Sequence, residues 1–227
     1  MNTSKIVKKV PNEDFNIDMQ YPKLEFKNGI EQCYVVPEVL DRLYKIKEDL
    51  SKCGLSIKIW DAWRSFNLQK ELFEEYSKDI IKEFNLEGLP LEEQEKTLVQ
   101  FVSKPVKDPF NAPLHTTAAA IDLTLIDADG NELEMGTKFD EFTSKTYTEY
   151  YKNLTPKIHK NRMILVRIME KYGFRNLESE WWHFDFYVKD YVGIFNEEEL
   201  NISNKIPKQK DEEWQITRIK WGLPFIR

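Results

Sequence analysis

The chain has 227 residues, of which 41% are hydrophobic and 32% charged, and its formal net charge is −6. That composition suits one globular domain over 1–227 with a sizeable core; it excludes a disordered or bilayer-spanning chain and argues against a general nucleic-acid partner. Two cysteines, Cys33 and Cys53, are too few for a disulfide framework and read as buried, reduced thiols. The start, Met1 to Val10, lacks an apolar stretch of signal-peptide length, so a cytoplasmic location without a membrane partner is expected.

Residues 1–36 mix turns with short extended pieces, and Tyr21, standing before Pro22, is pushed toward extended geometry. Pro37 suits the first turn of a helix reaching Lys52, with Val39, Leu40, Leu43, Tyr44, Ile46 and Leu50 as its apolar stripe and Gly54 beyond its end. Alternation of Leu55, Ile57 and Ile59 with polar residues predicts a strand to Trp63. Arg64 then falls where this strand gives way to a helix over 67–84, a usual place for a functional side chain, although a surface arginine is the plainer reading of that stretch alone. An exposed, charged helix is expected over 91–102, and the proline-rich 103–113 reads as a long loop.

A β-branched strand follows over 121–126, then a turn at Asp127-Ala128-Asp129-Gly130-Asn131 whose acids lack the spacing of a calcium loop. The stretch to Leu154 looks polar and helical, and residues 159–172 form an amphipathic helix closed by Gly173. His159, near its start, reads as a surface or capping residue. In the charged tail, Trp214, Trp221 and Phe225 could dock onto the body.

The densest chemistry lies in Ser179-Glu180-Trp181-Trp182-His183-Phe184-Asp185-Phe186. As a strand it turns His183 to the same side as Trp181 and Asp185, with Trp182, Phe184 and Phe186 opposite. Glu180 can then stand near a metal held by His183 without binding it. The chain has three histidines, and His115 precedes Asp122 by seven residues, a spacing that no straight strand brings onto one face. The small residues between them must therefore form a turn or bulge. His115, Asp122 and His183 so make a two-histidine, one-carboxylate set with room for a water, the pattern of a catalytic zinc site. Hydrogen-bonded core histidines and ordinary strand-end acids are the competing reading.

The runs His115-Thr116-Thr117-Ala118-Ala119-Ala120-Ile121-Asp122-Leu123-Thr124-Leu125 and Ser179-Glu180-Trp181-Trp182-His183-Phe184 resemble the two zinc motifs of the D-alanyl-D-alanine dipeptidases of the VanX type. Asp61-Ala62-Trp63-Arg64, Met135-Gly136-Thr137-Lys138-Phe139-Asp140 and Asn161-Arg162 leading to Gly173-Phe174 are similar to intervening blocks of that family, in the same order. The resemblance implies an α+β fold with a central antiparallel sheet flanked by helices, as in D-Ala-D-Ala peptidases and the hedgehog signalling domain. It further implies a Zn2+ metallopeptidase acting on D-Ala-D-Ala. By position, His115, Asp122 and His183 would hold zinc and Glu180 would be the base, while Arg64 would face the reacting carbonyl. Asp140 would help hold the substrate's ammonium group, and Tyr21 would line the small substrate pocket. Two positions depart from the family: Pro113 stands where a serine is usual and Ala118 where a glycine is, so Ala118 would be strained if left-handed. A murein carboxypeptidase or endopeptidase, and a zinc-binding module without catalysis, are the rival expectations.

Overall fold

The computed structural model describes residues 7–187 and 192–201. Its elements run β1 (Lys8–Lys9), β2 (Asn16–Ile17), α1 (Gln20–Lys23), β3 (Tyr34–Val35), α2 (Pro37–Ser51), β4 (Leu55–Asp61), α3 (Phe66–Glu83), α4 (Leu91–Leu98), β5 (Ala120–Asp127), α5 (Pro156–Lys171), β6 (Phe174–Leu177) and β7 (Glu180–Phe186). Five strands form one sheet in the order β2-β4-β5-β7-β6, and β1 pairs with β3 in a separate ribbon. The sheet is mixed rather than antiparallel throughout: β2 runs parallel to β4, and the other pairs are antiparallel.

The core follows from the apolar stripes. Helix α2 buries Val39, Leu43, Ile46 and Leu50, α5 buries Leu165, Val166 and Met169, and these share one core with Ile57, Ile59, Ile121, Leu123 and Leu125 of the sheet. Strand β5 is covered on both faces, so that even its polar residues Asp122 and Thr124 are fully buried among Ile121, Leu123 and Leu125. Ser65 caps α3 by accepting from Leu68 N at 3.1 Å. A smaller cluster of Ile80, Leu98, Phe101 and Val102 anchors the end of α4. That helix ends at Leu98, short of the expected 102, and beyond the exposed Val99 and Gln100 the chain turns Phe101 and Val102 inward.

Other expectations change for physical reasons. The stretch read as helical before Leu154 contains a single 3-10 turn at Ser144–Thr146, since its polar residues offer no continuous apolar face to bury. Tyr21 is helical rather than extended, its local preference overridden by burial and by its contacts with Asp140 and Arg64. Cys33 is buried, but Cys53 is exposed, because it lies in the turn just after α2; both are free thiols. Trp214, Trp221 and Phe225 lie outside the described residues. Among the described residues no helix is long and apolar enough to cross a membrane.

Candidate metal centre and cavity

Register across the sheet brings the chemistry together. Asp61 on β4 is opposite Asp122 on β5, and Asp122 is opposite His183 on β7, so three neighbouring strands carry one polar row. An irregularity in β4 between Ile59 and Asp61 makes Trp60 the extra residue; without it Trp60, not Asp61, would oppose Asp122. His115 reaches the row from a 3-10 turn, Leu114–Thr117, which ends at Ala118 with φ 57° before β5 begins. The expected reversal between His115 and Asp122 is thus a 3-10 turn closed by a left-handed alanine.

His115 Nε2, His183 Nδ1 and Asp122 Oδ1 converge, with separations of 3.1 Å between the imidazoles, 2.9 Å from His183 to Asp122 and 3.4 Å from His115 to Asp122. The opposite nitrogen of each ring is engaged. His115 Nδ1 meets the carbonyl oxygen of Ala62, with Asp61 Oδ2 at 3.3 Å, and His183 Nε2 meets Asp185 Oδ1 at 2.9 Å. A carbonyl or carboxylate oxygen can only accept, so each of those outer nitrogens carries the proton in the neutral ring. The inner nitrogens then present lone pairs to each other and to a carboxylate oxygen, an arrangement that calls for a cation between them. Ligand bonds of about 2.0–2.1 Å at tetrahedral angles put donor atoms roughly 3.3 Å apart, and two nitrogens with one oxygen leave a fourth position open, so the set fits zinc. Without a metal the same demand is met by a proton: burial disfavours the imidazolium, but Asp185 and Asp122 outweigh it and raise His183 well above its ordinary pKa. Burial also works against an ionised Asp122, yet His115 and His183 hold it well below the carboxylate range.

Arg64 ties this centre to its surroundings, with Nη2 donating to Asp122 Oδ2 at 2.8 Å and Nε to Asp61 Oδ2 at 2.6 Å. Glu180 Oε2 stands 4.0 Å from His183 Nδ1, outside the converging trio. Burial, with Asp122 and Asp140 adding to it, raises its carboxyl to about 8. Trp181 does not join His183 on the polar face; it packs between Trp60 and Trp182 with its Nε1 on Thr137, because β7 is irregular there.

Farther along, Tyr21 Oη donates to Asp140 Oδ2 at 3.0 Å while the Arg64 guanidinium lies 4.9 Å above the Tyr21 ring. Tyr76 also bears on the Asp140 carboxyl, and burial raises that carboxyl to about 6. Asp140 itself is left-handed, at φ 51°, and the connection carrying it is anchored by Arg162, which donates to the carbonyls of Met135, Tyr147 and Lys145 at 2.8, 2.7 and 3.0 Å. Tyr21, Arg64, His115, Asp140, Glu180 and His183 all line one cavity of about 580 Å³, and Asp122 lies buried beneath it. His159 is elsewhere, 3.3 Å from Glu149. Sequence reasoning assigned no role to Asp61, Tyr76 or Arg162. For Asp185 the signal was present, since strand alternation placed it beside His183.

Known proteins resemble this chain to different degrees. The D,D-pentapeptidase VanY of a VanB-type resistance cassette, solved with Zn(II), superposes with a TM-score of 0.41 at 12% identity over 82% of this chain and 88% of that one, too slight a likeness to build on. A D-alanyl-D-alanine dipeptidase of Synechocystis sp. is 29% identical over 163 residues, 64% of this chain and 66% of the relative. The protein of that name from Escherichia coli K12 is 44% identical over 71 residues, 31% of this chain and 36% of the relative. The chain thus spans just under two thirds of the first relative's length and about a third of the second's. The profile of the peptidase M15 family, described as D-Ala-D-Ala dipeptidase, matches residues 28–199, well over half the sequence, and the chain belongs to that family.

Proposed function

We propose that the protein is a zinc-dependent dipeptidase that hydrolyses D-alanyl-D-alanine to two D-alanines. The observation that carries this reading is the convergence of three lone-pair donors, His115 Nε2, His183 Nδ1 and Asp122 Oδ1, beside a protonatable acid that is not one of them. Zinc held there would act as a Lewis acid, lowering the pKa of a coordinated water toward about 7 and polarising the substrate carbonyl. Glu180 takes the proton from the attacking water and returns it to the leaving amine; its raised pKa, about 8, suits an acid that must hold a proton between those steps. Arg64, with Nε and Nη2 engaged and Nη1 at 3.5 Å from Gln69 Oε1, has one loosely held arm to turn onto the oxygen that gains negative charge.

Recognition follows from charge. The substrate has an ammonium at one end, and Asp140, with Tyr21 at its side, supplies the opposing carboxylate in a buried setting where that attraction is strong. Pro113 lines the cavity and lacks the hydroxyl usual at that position, so the substrate's other end is held without it. Both cysteines are free, which suits a reducing compartment, and we place the reaction in the cytoplasm.

Glu180→Ala separates base from ligand. Turnover of D-Ala-D-Ala should fall by about 10²–10⁴-fold, the usual contribution of general acid–base catalysis, with zinc still bound one per chain. Loss of the metal would make Glu180 a ligand instead. Faster cleavage of a wall pentapeptide than of the free dipeptide would replace the dipeptidase reading with a murein carboxypeptidase.

A further inference from the structure

Glu180 and His183 are three residues apart on β7, a spacing that on a regular strand turns two side chains to opposite faces. Nevertheless they meet, with Glu180 Oε2 at 4.0 Å from His183 Nδ1. The cause lies in the pairing with β6. One step along β6, from Asn176 to Leu177, is matched by the passage from Phe184 back to Glu180 on β7, which leaves Trp181, Trp182 and His183 without partners on that strand. A buried bulge of this kind strands backbone carbonyls that the ladder would otherwise have satisfied.

The Asn176 side chain fills that gap. Its Nδ2 donates to the carbonyl oxygens of Glu180 and His183, both at 3.0 Å. Its Oδ1 accepts from Thr148 Oγ1 at 2.6 Å, and Thr148 N in turn donates to Glu178 O at 3.0 Å. One amide group therefore closes both ends of the bulge and is itself fixed from a neighbouring segment. We infer that Asn176 is a positioning residue that sets the distance between the general base and the metal ligand by clamping the carbonyls of Glu180 and His183 together. The inference rests on the roles proposed above for those two residues. It also explains why an asparagine is needed. Two donors on one nitrogen and an acceptor at the other corner are found in a side-chain amide, whereas aspartate lacks the donors and glutamine carries the amide one methylene too far.

Asn176→Asp is the discriminating change, since it keeps the shape and the acceptor for Thr148 but sets an oxygen against two carbonyls. The expected result is a fall in kcat on D-Ala-D-Ala of about ten- to a hundredfold, the effect of misplacing a reacting group by about an ångström, with KM within about threefold because the ammonium end is built on other segments. Zinc affinity, read by chelator competition, should weaken as His183 shifts. Thr148→Val, which frees the amide from behind and leaves its donors in place, should move kcat in the same direction by less and serves where Asn176→Asp fails to fold. Wild-type kcat and zinc affinity in either folded variant would overturn the inference, as would a loss that vanishes once activity is expressed per folded molecule. A wild-type protein inactive on D-Ala-D-Ala would sink the proposed function instead, and the zinc measurement would still test the clamp.

Discussion

At the metal end of the cavity three adjacent strands deliver Asp61, Asp122 and His183 in one row, and backbone pairing fixes their separation. At the proposed ammonium end nothing is carried by the sheet: Tyr21 comes from a four-residue helix and Asp140 from an irregular connection held by the buried Arg162. The difference matters for how each end can fail. A row of side chains locked by ladder hydrogen bonds has little room to relax, so losing one member should empty the site. Segments held by individual side-chain clamps can shift, so losses there should be graded and should affect substrate affinity before turnover.

The largest effect is expected from His183→Ala, which removes one of three converging donors and leaves Asp122 buried with one fewer partner. Metal analysis of the purified variant should find less than a tenth of the wild-type zinc, and turnover should be undetectable; a fully loaded variant would refute the assignment of the centre. Arg64→Ala tests whether the row extends beyond the ligands. Removing a donor that stabilises developing charge costs about 10²–10³-fold in kcat. Because Arg64 Nη2 also occupies Asp122 Oδ2 at 2.8 Å, zinc should bind more weakly as well. A role at the reacting carbonyl alone, which the family resemblance implies, would lower turnover far more than metal content. If zinc affinity is unchanged, the contact with Asp122 contributes nothing to the centre, and Arg64 belongs with the substrate alone.

Asp140→Asn probes the other end. KM should rise about tenfold or more, as for loss of a hydrogen bond to a charged group, with kcat changed much less. A pH dependence accompanies it. Burial lifts the Asp140 carboxyl from its ordinary 3.8 to about 6, so the group is ionised and attracts an ammonium above that pH and loses the charge below it. In the wild type kcat/KM should therefore decline as pH falls through about 6, and Asp140→Asn should shrink that limb. For folding the same shift has the opposite sense: the native carboxyl keeps a proton that the unfolded chain releases, so this group's contribution to stability decreases as pH rises between those two values. An unaltered acid limb in the variant would assign it to another carboxyl, of which Asp61, also raised to about 6 by burial, is the nearest alternative.

How far each end could be read in advance follows from the same division. His115, Asp122 and His183 were legible because their spacing permits one geometry, a reversal through small residues followed by strand. Asp61 was visible as a residue but not as a partner, since pairing it with Asp122 depends on an extra residue in β4 that no alternation pattern announces. Asn176 was invisible for the same reason: its value arises from an irregular register between two strands. The proposed ammonium end rests on family resemblance alone, and Tyr76, which also bears on the Asp140 carboxyl, was missed because a tyrosine in a helix reads as packing. The stretch before Leu154 misled in the other direction. Its polar run looked helical, but it has no continuous apolar face, and the carbonyls of Lys145 and Tyr147 are taken up by Arg162, which fixes an irregular path.

Ala118 is where the metal end does show strain, and it gives the smallest expected effect. At φ 57° its methyl group crowds the backbone, a cost of roughly 1–2 kcal/mol relative to a right-handed conformation. The same methyl is fully buried in the core, which returns about 0.8 kcal/mol, and glycine would add about 0.5–1 kcal/mol of unfolded-state entropy. These terms nearly cancel. Ala118→Gly should therefore shift the melting temperature by no more than about 4 °C in either direction, the equivalent of about 1 kcal/mol in a chain of this size. The reversal that carries His115 would keep its shape, with Ala118 N still able to reach His115 O and Val36 N still able to reach the carbonyl at 118, so zinc affinity should be unchanged. Ala118→Val supplies the contrast, because a β-branched side chain tolerates the left-handed region poorly; it should weaken zinc binding where glycine does not. If glycine instead loses the metal, the methyl's packing rather than the backbone's path is what holds His115 in the row.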